Sequence, residues 1–119
     1  MAITVTTPQS ARSGFILNGV SADVSGCEEL KAAPAAGVSI IVDHLTINNG
    51  ANAISVTIGE GESVPGSVDT ALIGPIAMAA NTSLQFTFPF GMKLTAAKSL
   101  TVDASGAGAI CIFAQGRVE

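Results

Sequence analysis

The chain has 119 residues, of which 48% are apolar and only 12% charged, with a formal net charge of −4 and a mean hydropathy of +0.54. That length is one domain with room for a two-layer core, and the charge content is half the roughly 25% of a typical soluble domain, which excludes a highly charged, self-solvating surface. The five basic residues, Arg12, Lys31, Lys93, Lys98 and Arg117, form no cluster, so phosphate contacts, and with them nucleic acid, are not expected.

Taken in chain order, the apolar residues repeat with a period of two, the pattern of half-buried strands. Ile3 and Val5 alternate with Thr4 and Thr6. No basic leader precedes them, so no signal peptide is expected. Pro8, Gln9 and Ser10 then break the alternation, and residues 1–14 are read as an N-terminal arm ahead of a single domain over 15–119. Cys27–Ala33 is the only helix candidate; Pro34 truncates it, and it is read as a strand.

Pro34–Gly37 leads into a long strand, Val38–Asn48, whose phase switches. Ile40 and Val42 share one face, Leu45 and Ile47 the other, so a β-bulge is predicted near Asp43–His44. Asn49-Gly50 is a hairpin signal. Ile54, Val56 and Ile58 form the next alternating strand, and Gly59–Thr70 is the longest break. Leu72–Met78 and Ser83–Phe88 are separated by Ala80–Asn81. Leu84, Phe86 and Phe88 alternate, as do Leu100 and Val102, and all of these, with Ile54 and Val56, are expected in the core. Phe90, beside that strand, is grouped with Phe86 and Phe88. Ser105–Gly108 leads to a last strand, Ala109–Arg117, which is apolar in both phases and is therefore central or covered. The total is eight or nine strands in an antiparallel all-β sandwich.

Candidate chemistry is sparse. His44 is the one histidine, and Asp43 beside it meets it only at the bulge, because neighbouring strand residues face opposite ways. Cys27 and Cys111 read as small buried hydrophobes; with His44 they are the one set able to furnish three zinc ligands. Glu60, Glu62 and Asp69 share a loop, as calcium ligands do, without a recognisable calcium spacing. Gly59-Glu60-Gly61 lacks the lysine and helix of a phosphate loop, and no nucleophile elbow is present. Sugar-stacking Trp and Tyr are absent. No run approaches the roughly 20 apolar residues of a spanning helix, and the aromatic girdles of a membrane barrel are missing. No catalytic, cofactor-binding or metal residue is assigned, and no membrane association is expected.

From about Leu30 to Phe113 the chain resembles small virion proteins of tailed bacteriophages. The ordered pattern is Ala33-Pro34-Ala35-Ala36-Gly37 before Ile40-Ile41-Val42-Asp43-His44-Leu45-Thr46-Ile47, a Gly/Asn turn and Ser-Val-Thr-Ile, then Ile73-Gly74-Pro75-Ile76 into Met78-Ala79-Ala80-Asn81, then Thr95-Ala96-Ala97-Lys98-Ser99-Leu100-Thr101-Val102 and a Gly-rich turn. A family-like Gly-Trp or Gly-Phe before the final strand pair is here Phe90-Gly91-Met92. The resemblance implies a jelly-roll-like β-sandwich, often trimeric, that decorates capsids or serves head and tail. It makes the chain a non-enzymatic capsid decoration or cement subunit of the virion, assembled in the host cytoplasm. Its expected partners are further copies of itself, a trimer being favoured, and the major capsid protein or other virion subunits. The alternatives are a tail or fibre component, and a receptor- or carbohydrate-binding β-sandwich module.

Overall fold

The structure, a computed structural model, describes residues 3–7, 14–21, 25–106 and 109–119. Among them lie nine strands and no helix: β1 Thr4–Thr6, β2 Gly14–Ser21, β3 Ser25–Lys31, β4 Ile40–Asn49, β5 Ile54–Glu60, β6 Thr70–Met78, β7 Ser83–Lys93, β8 Leu100–Ser105 and β9 Ile110–Val118. They build a five-stranded sheet ordered β1-β2-β9-β4-β7 and a four-stranded sheet ordered β3-β8-β5-β6. All pairings are antiparallel. The nested pairs β2·β9, β3·β8, β4·β7 and β5·β6 are the jelly-roll topology, with β1 added at one edge.

Alternation places the core between the sheets. Leu17, Leu45, Ile47, Ile112 and Ala114 come from one sheet and Ile54, Val56, Ile58, Leu100, Val102 and Ala104 from the other, all buried in one cluster. Each buried aliphatic side chain of this kind contributes about 1.5–3 kcal/mol of transfer free energy. β9 is apolar in both phases because it is central, flanked by β2 and β4. The segment from Cys27 onward is strand, as its truncation by Pro34 required.

The predicted bulge is present. Val42 pairs with Gly116 and His44 with Gln115, so Asp43 is one extra residue in β4. Ile40, Val42, Leu45 and Ile47 then all reach the core. Against β7 the same point is wider: Val42 pairs with Met92 but His44 with Thr87, so Phe88–Gly91 face Asp43 alone.

Three expectations are corrected, and one burial was not anticipated. Asn49-Gly50 is not a hairpin turn, because β4 and β5 belong to different sheets; the turn carries the chain across the sandwich, as does Ala80–Asn81, and β8 and β9 likewise lie in different sheets. Leu84, Phe86 and Phe88 face inward but are only half-buried, since β7 is an edge strand with nothing beyond it. Phe90 is 96% exposed, because the bulge breaks the alternation that linked it to Phe86 and Phe88. Thr101 is 0% exposed although it lies on the outer face, since the β5–β6 connection covers it and its hydroxyl donates to the Gly61 carbonyl at 3.4 Å. Of the expected arm, Thr4–Thr6 pairs with the chain's own β2 as an edge strand, whereas residues 1–2 and 8–13 lie outside the described residues.

These burials set a prediction. Leu45→Ala removes a side chain with no exposure and should cost about 2–5 kcal/mol, whereas Phe86→Ala should fall below the roughly 3–5 kcal/mol of a fully buried Phe. Urea unfolding of the two variants measures the difference, and a Phe86→Ala loss larger than that of Leu45→Ala would contradict the edge position of β7.

Candidate functional surface

The two outer faces of the sandwich differ sharply in charge. On the five-stranded sheet the registers align outward side chains in rows. Val20, Cys111, Asn48 and Ser83 form one row, Asn18, Phe113, Thr46 and Gln85 the next, and Ile16, Gln115, His44 and Thr87 a third. None of these is Asp, Glu, Lys or Arg. The first charged pair comes at the bulge, where Arg117 Nη1 donates to Asp43 Oδ1 at 2.9 Å and Oδ2 at 3.2 Å; these carboxylates, Asp43 first, raise the Arg117 pKa further.

His44 sits within this uncharged field. Its Nε2 is 3.0 Å from Thr46 Oγ1 and its Nδ1 3.3 Å from Thr87 Oγ1, and its ring meets Phe113 edge-on at 6.4 Å. Asp43 is committed to Arg117 and does not orient the imidazole. The geometry therefore supplies hydroxyl neighbours to His44 and no carboxylate partner of the kind that poises a general base.

The outer face of the four-stranded sheet carries the acids. Glu29 and Cys27 of β3 lie beside Thr101 and Asp103 of β8, and residues 61–69 fold over them. Val68 lies against Gly59, and the loop is knitted by its own polar groups. Ser63 donates through its N–H and hydroxyl to Asp69 at 2.8 and 2.7 Å, the Gly66 N–H donates to Glu62 at 2.8 Å, and Lys98 donates to Asp69 at 3.3 Å. Those Ser63 bonds hold the Asp69 carboxyl below its ordinary range, while burial, then the nearby Glu62, pushes Asp103 up.

The three acids suggested as calcium ligands do not converge. Glu60 is buried and turned away from the loop, accepting the Thr95 N–H and hydroxyl, both at 2.7 Å. Glu62 and Asp69 are occupied by the loop backbone and Ser63. The thiols are apart as well. Cys27 is on the outer face of one sheet and Cys111 on the outer face of the other. Cys111 donates to Asn18 Oδ1 at 3.1 Å, and His44 lies opposite Gln115, further along β9. Among the described residues no three His, Cys, Asp or Glu side chains are grouped to hold a metal.

Cys27 is 7% exposed, and burial first, then Glu62, pushes its thiol up to about 11. Sequence reasoning found Cys27 and His44 as residues but missed the two features that organise this surface. One is the charge difference between faces, which needs strand order. The other is the corner device at Asn49, whose Nδ2 donates to the carbonyls of Asn52 at 2.8 Å and Ala79 at 3.0 Å, tying the end of β4 to the end of β6.

Three outcomes follow. Because thiolate is the reactive form, Cys27 should resist iodoacetamide at pH 8 while half-buried Cys111 is alkylated, as read by peptide mass spectrometry; a folded chain modified first at Cys27 would contradict its burial. A raised thiol pKa makes the protonated form the folded one, so this contribution is intact below the ordinary value of 9.0 and is lost as pH rises through about 11. Glu60→Ala should lower stability by about 1–3 kcal/mol through its two lost bonds to Thr95, as measured by thermal or urea unfolding, and an unchanged midpoint would refute the tie.

No protein-family model matches the chain, and no curated protein matches it in sequence.

Proposed function

We propose that this chain is a non-enzymatic virion structural protein, a capsid decoration or cement subunit that acts through subunit contacts. The observation that carries the reading is the outer face of the five-stranded sheet: three rows of side chains across four strands without one Asp, Glu, Lys or Arg. Charge is depleted at the buried centre of protein interfaces, because desolvating an unpaired charge is costly. Glu29, Glu62, Asp69 and Asp103 lie on the opposite side, Asp43 is paired with Arg117 at the bulge, and the three rows beyond it are cheap to desolvate. The jelly-roll topology is the one expected from the resemblance to small phage virion proteins.

The mechanism in this reading is linkage. The uncharged face packs on the major capsid protein in the assembled shell, and a contact made only with that state shifts the equilibrium away from the open one. The subunit acts as a homo-oligomer, with three copies favoured. His44, Cys27 and Cys111 carry out no chemical step.

Attachment to shells tests this directly. Purified protein should co-sediment with shells assembled from the capsid protein, and Gln115→Lys together with Asn48→Lys, both at exposed positions, should weaken attachment by about tenfold or more without altering the circular dichroism. Wild-type protein that fails to attach, or a double lysine variant that attaches as well as wild type, would refute the reading. Light scattering should give a multiple of the 11.8 kDa chain mass.

A further inference from the structure

The two sheets end in four edge strands, β1 and β7 of one, β3 and β6 of the other. An open edge is a row of unpaired backbone donors and acceptors, and proteins blunt it with short strands, prolines, bulges or inward-pointing charges. Three of these edges carry such a device. β1 is only three residues long. β3 sets Glu28 and Lys31 opposite the core residues Val102 and Leu100, so both charges point inward. β6 holds Gly74-Pro75 and slips register twice against β5. β7 is different. From Ser83 to Phe88 it has no charge and no proline, and from Ser83 to Thr87 its register with β4 is unbroken.

The ladder fixes where the free groups of β7 point. The Asn49 N–H donates to the Thr82 carbonyl at 2.8 Å, and hydrogen-bonded pairs alternate along an antiparallel ladder. Leu84 with Ile47 and Phe86 with Leu45 are therefore bonded pairs, and the N–H and C=O groups of Ser83, Gln85 and Thr87 point away from β4 to the open edge. Leu84 and Phe86 face inward and are half-buried, and the Phe86 ring lies parallel to that of Phe88 at 6.3 Å.

We propose that this edge pairs with the β7 edge of a second copy, antiparallel, about a two-fold axis at Gln85. The occupant is a second copy because the edge is its own complement. Gln85 meets Gln85, Ser83 meets Thr87 and Thr87 meets Ser83, each pair exchanging N–H···O=C bonds. Leu84 then lies against Phe86 of the second copy as an apolar cross-strand pair, and no like charges meet, since the stretch has none. The pairing ends at Pro89, which has no N–H to give. A two-fold contact closes on itself, so the number of chains is even, a dimer or a pair of trimers. The inference takes from the proposed function only that copies associate, and it uses the edge of the sheet, not its outer face.

The test uses the full chain in sedimentation velocity and amide hydrogen exchange. Wild type should sediment as an even multiple of the 11.8 kDa chain, and the Gln85 and Thr87 amides should be protected at high concentration and exchange freely on dilution. Gln85→Pro removes an edge donor without touching the β4·β7 bonds, since proline is tolerated where its N–H side faces solvent. It should associate about tenfold or more weakly than wild type, having lost a pair of exchanged bonds. Gln85→Ala keeps the N–H and should associate like wild type. Leu84→Lys, an inward charge of the kind β3 carries, is a second disrupting variant should the proline disturb the fold. Dissociation by Gln85→Ala as much as by Gln85→Pro puts the contact on the sheet face and overturns the edge pairing, as do disrupting variants that associate like wild type. A wild-type monomer or trimer at about 100 μM, far above micromolar affinity, overturns it while leaving shell attachment untouched. Amides of 83–87 protected on shells but not in the free protein give the edge to a strand of the partner and overturn pairing with a second copy. An even-numbered, proline-sensitive oligomer that fails to attach to shells upholds this contact and refutes the proposed function.

Discussion

The single extra residue in β4, Asp43, sets the geometry of one end of the molecule. Without it, Ile40 and Val42 would face one way and Leu45 and Ile47 the other, and half of the longest strand's apolar surface would point at water. With it, all four are buried. The shift must be accommodated on both sides. On β9 it is met at Gly116, where a Cβ would collide with the Ile41 carbonyl, and it is braced by the Asp43–Arg117 ion pair. The two side chains are 38% and 39% exposed, and a solvent-exposed ion pair adds little to stability, so its value is in fixing geometry. On β7 the shift is met by Phe88–Gly91, which leave the ladder and carry Phe90 into solvent. Core packing, the requirement for glycine at 116 and the most exposed large apolar side chain among the described residues thus share one cause.

The second organising feature is where a small number of charges goes. The sandwich sends Glu29, Glu62, Asp69, Lys98 and Asp103 to the four-stranded side and keeps the outer rows of the other sheet neutral. Strand order does this: β9 is inserted between β2 and β4, and beyond the Asp43–Arg117 pair at the bulge their outward residues include no Asp, Glu, Lys or Arg. On the acidic side the loop is tied down by the bonds of Ser63, Gly66 and Lys98 to Asp69 and Glu62. The side-chain bonds within the neutral rows are those of His44 with Thr46 and Thr87, of Cys111 with Asn18, and of Ser83 with Asn48 at 2.6 Å. The difference in charge, not in hydrogen bonding, is what motivates the proposal that the neutral face meets other subunits.

Much of the fold was legible from alternation alone. The phase switch between Val42 and Leu45 marks the bulge, and the two-phase apolarity of Ile110–Phe113 marks a central strand. What was not legible is long-range. Asn49-Gly50 signals a turn, but turn chemistry does not say whether the next strand returns to the same sheet, and here it crosses to the other. Phe86, Phe88 and Phe90 share a phase in the sequence, and only the four-against-one pairing with Asp43 separates Phe90 from the others. Thr101 looks like an exposed threonine until the 61–69 loop is laid over it. Cys27, His44 and Cys111 were the one constellation that sequence left open, and strand order puts the two thiols on opposite faces.

The central claim is that the neutral sheet face is covered in the working state. Hydrogen exchange compared between free protein and protein bound to shells of the proposed capsid partner tests it most directly, because each strand reports separately. The account predicts added protection in Ile16–Val20, His44–Asn48 and Cys111–Gln115, with the 61–69 loop unchanged. Protection confined to the acidic loop and to β3 and β8, or no difference between the free and bound states, would contradict it.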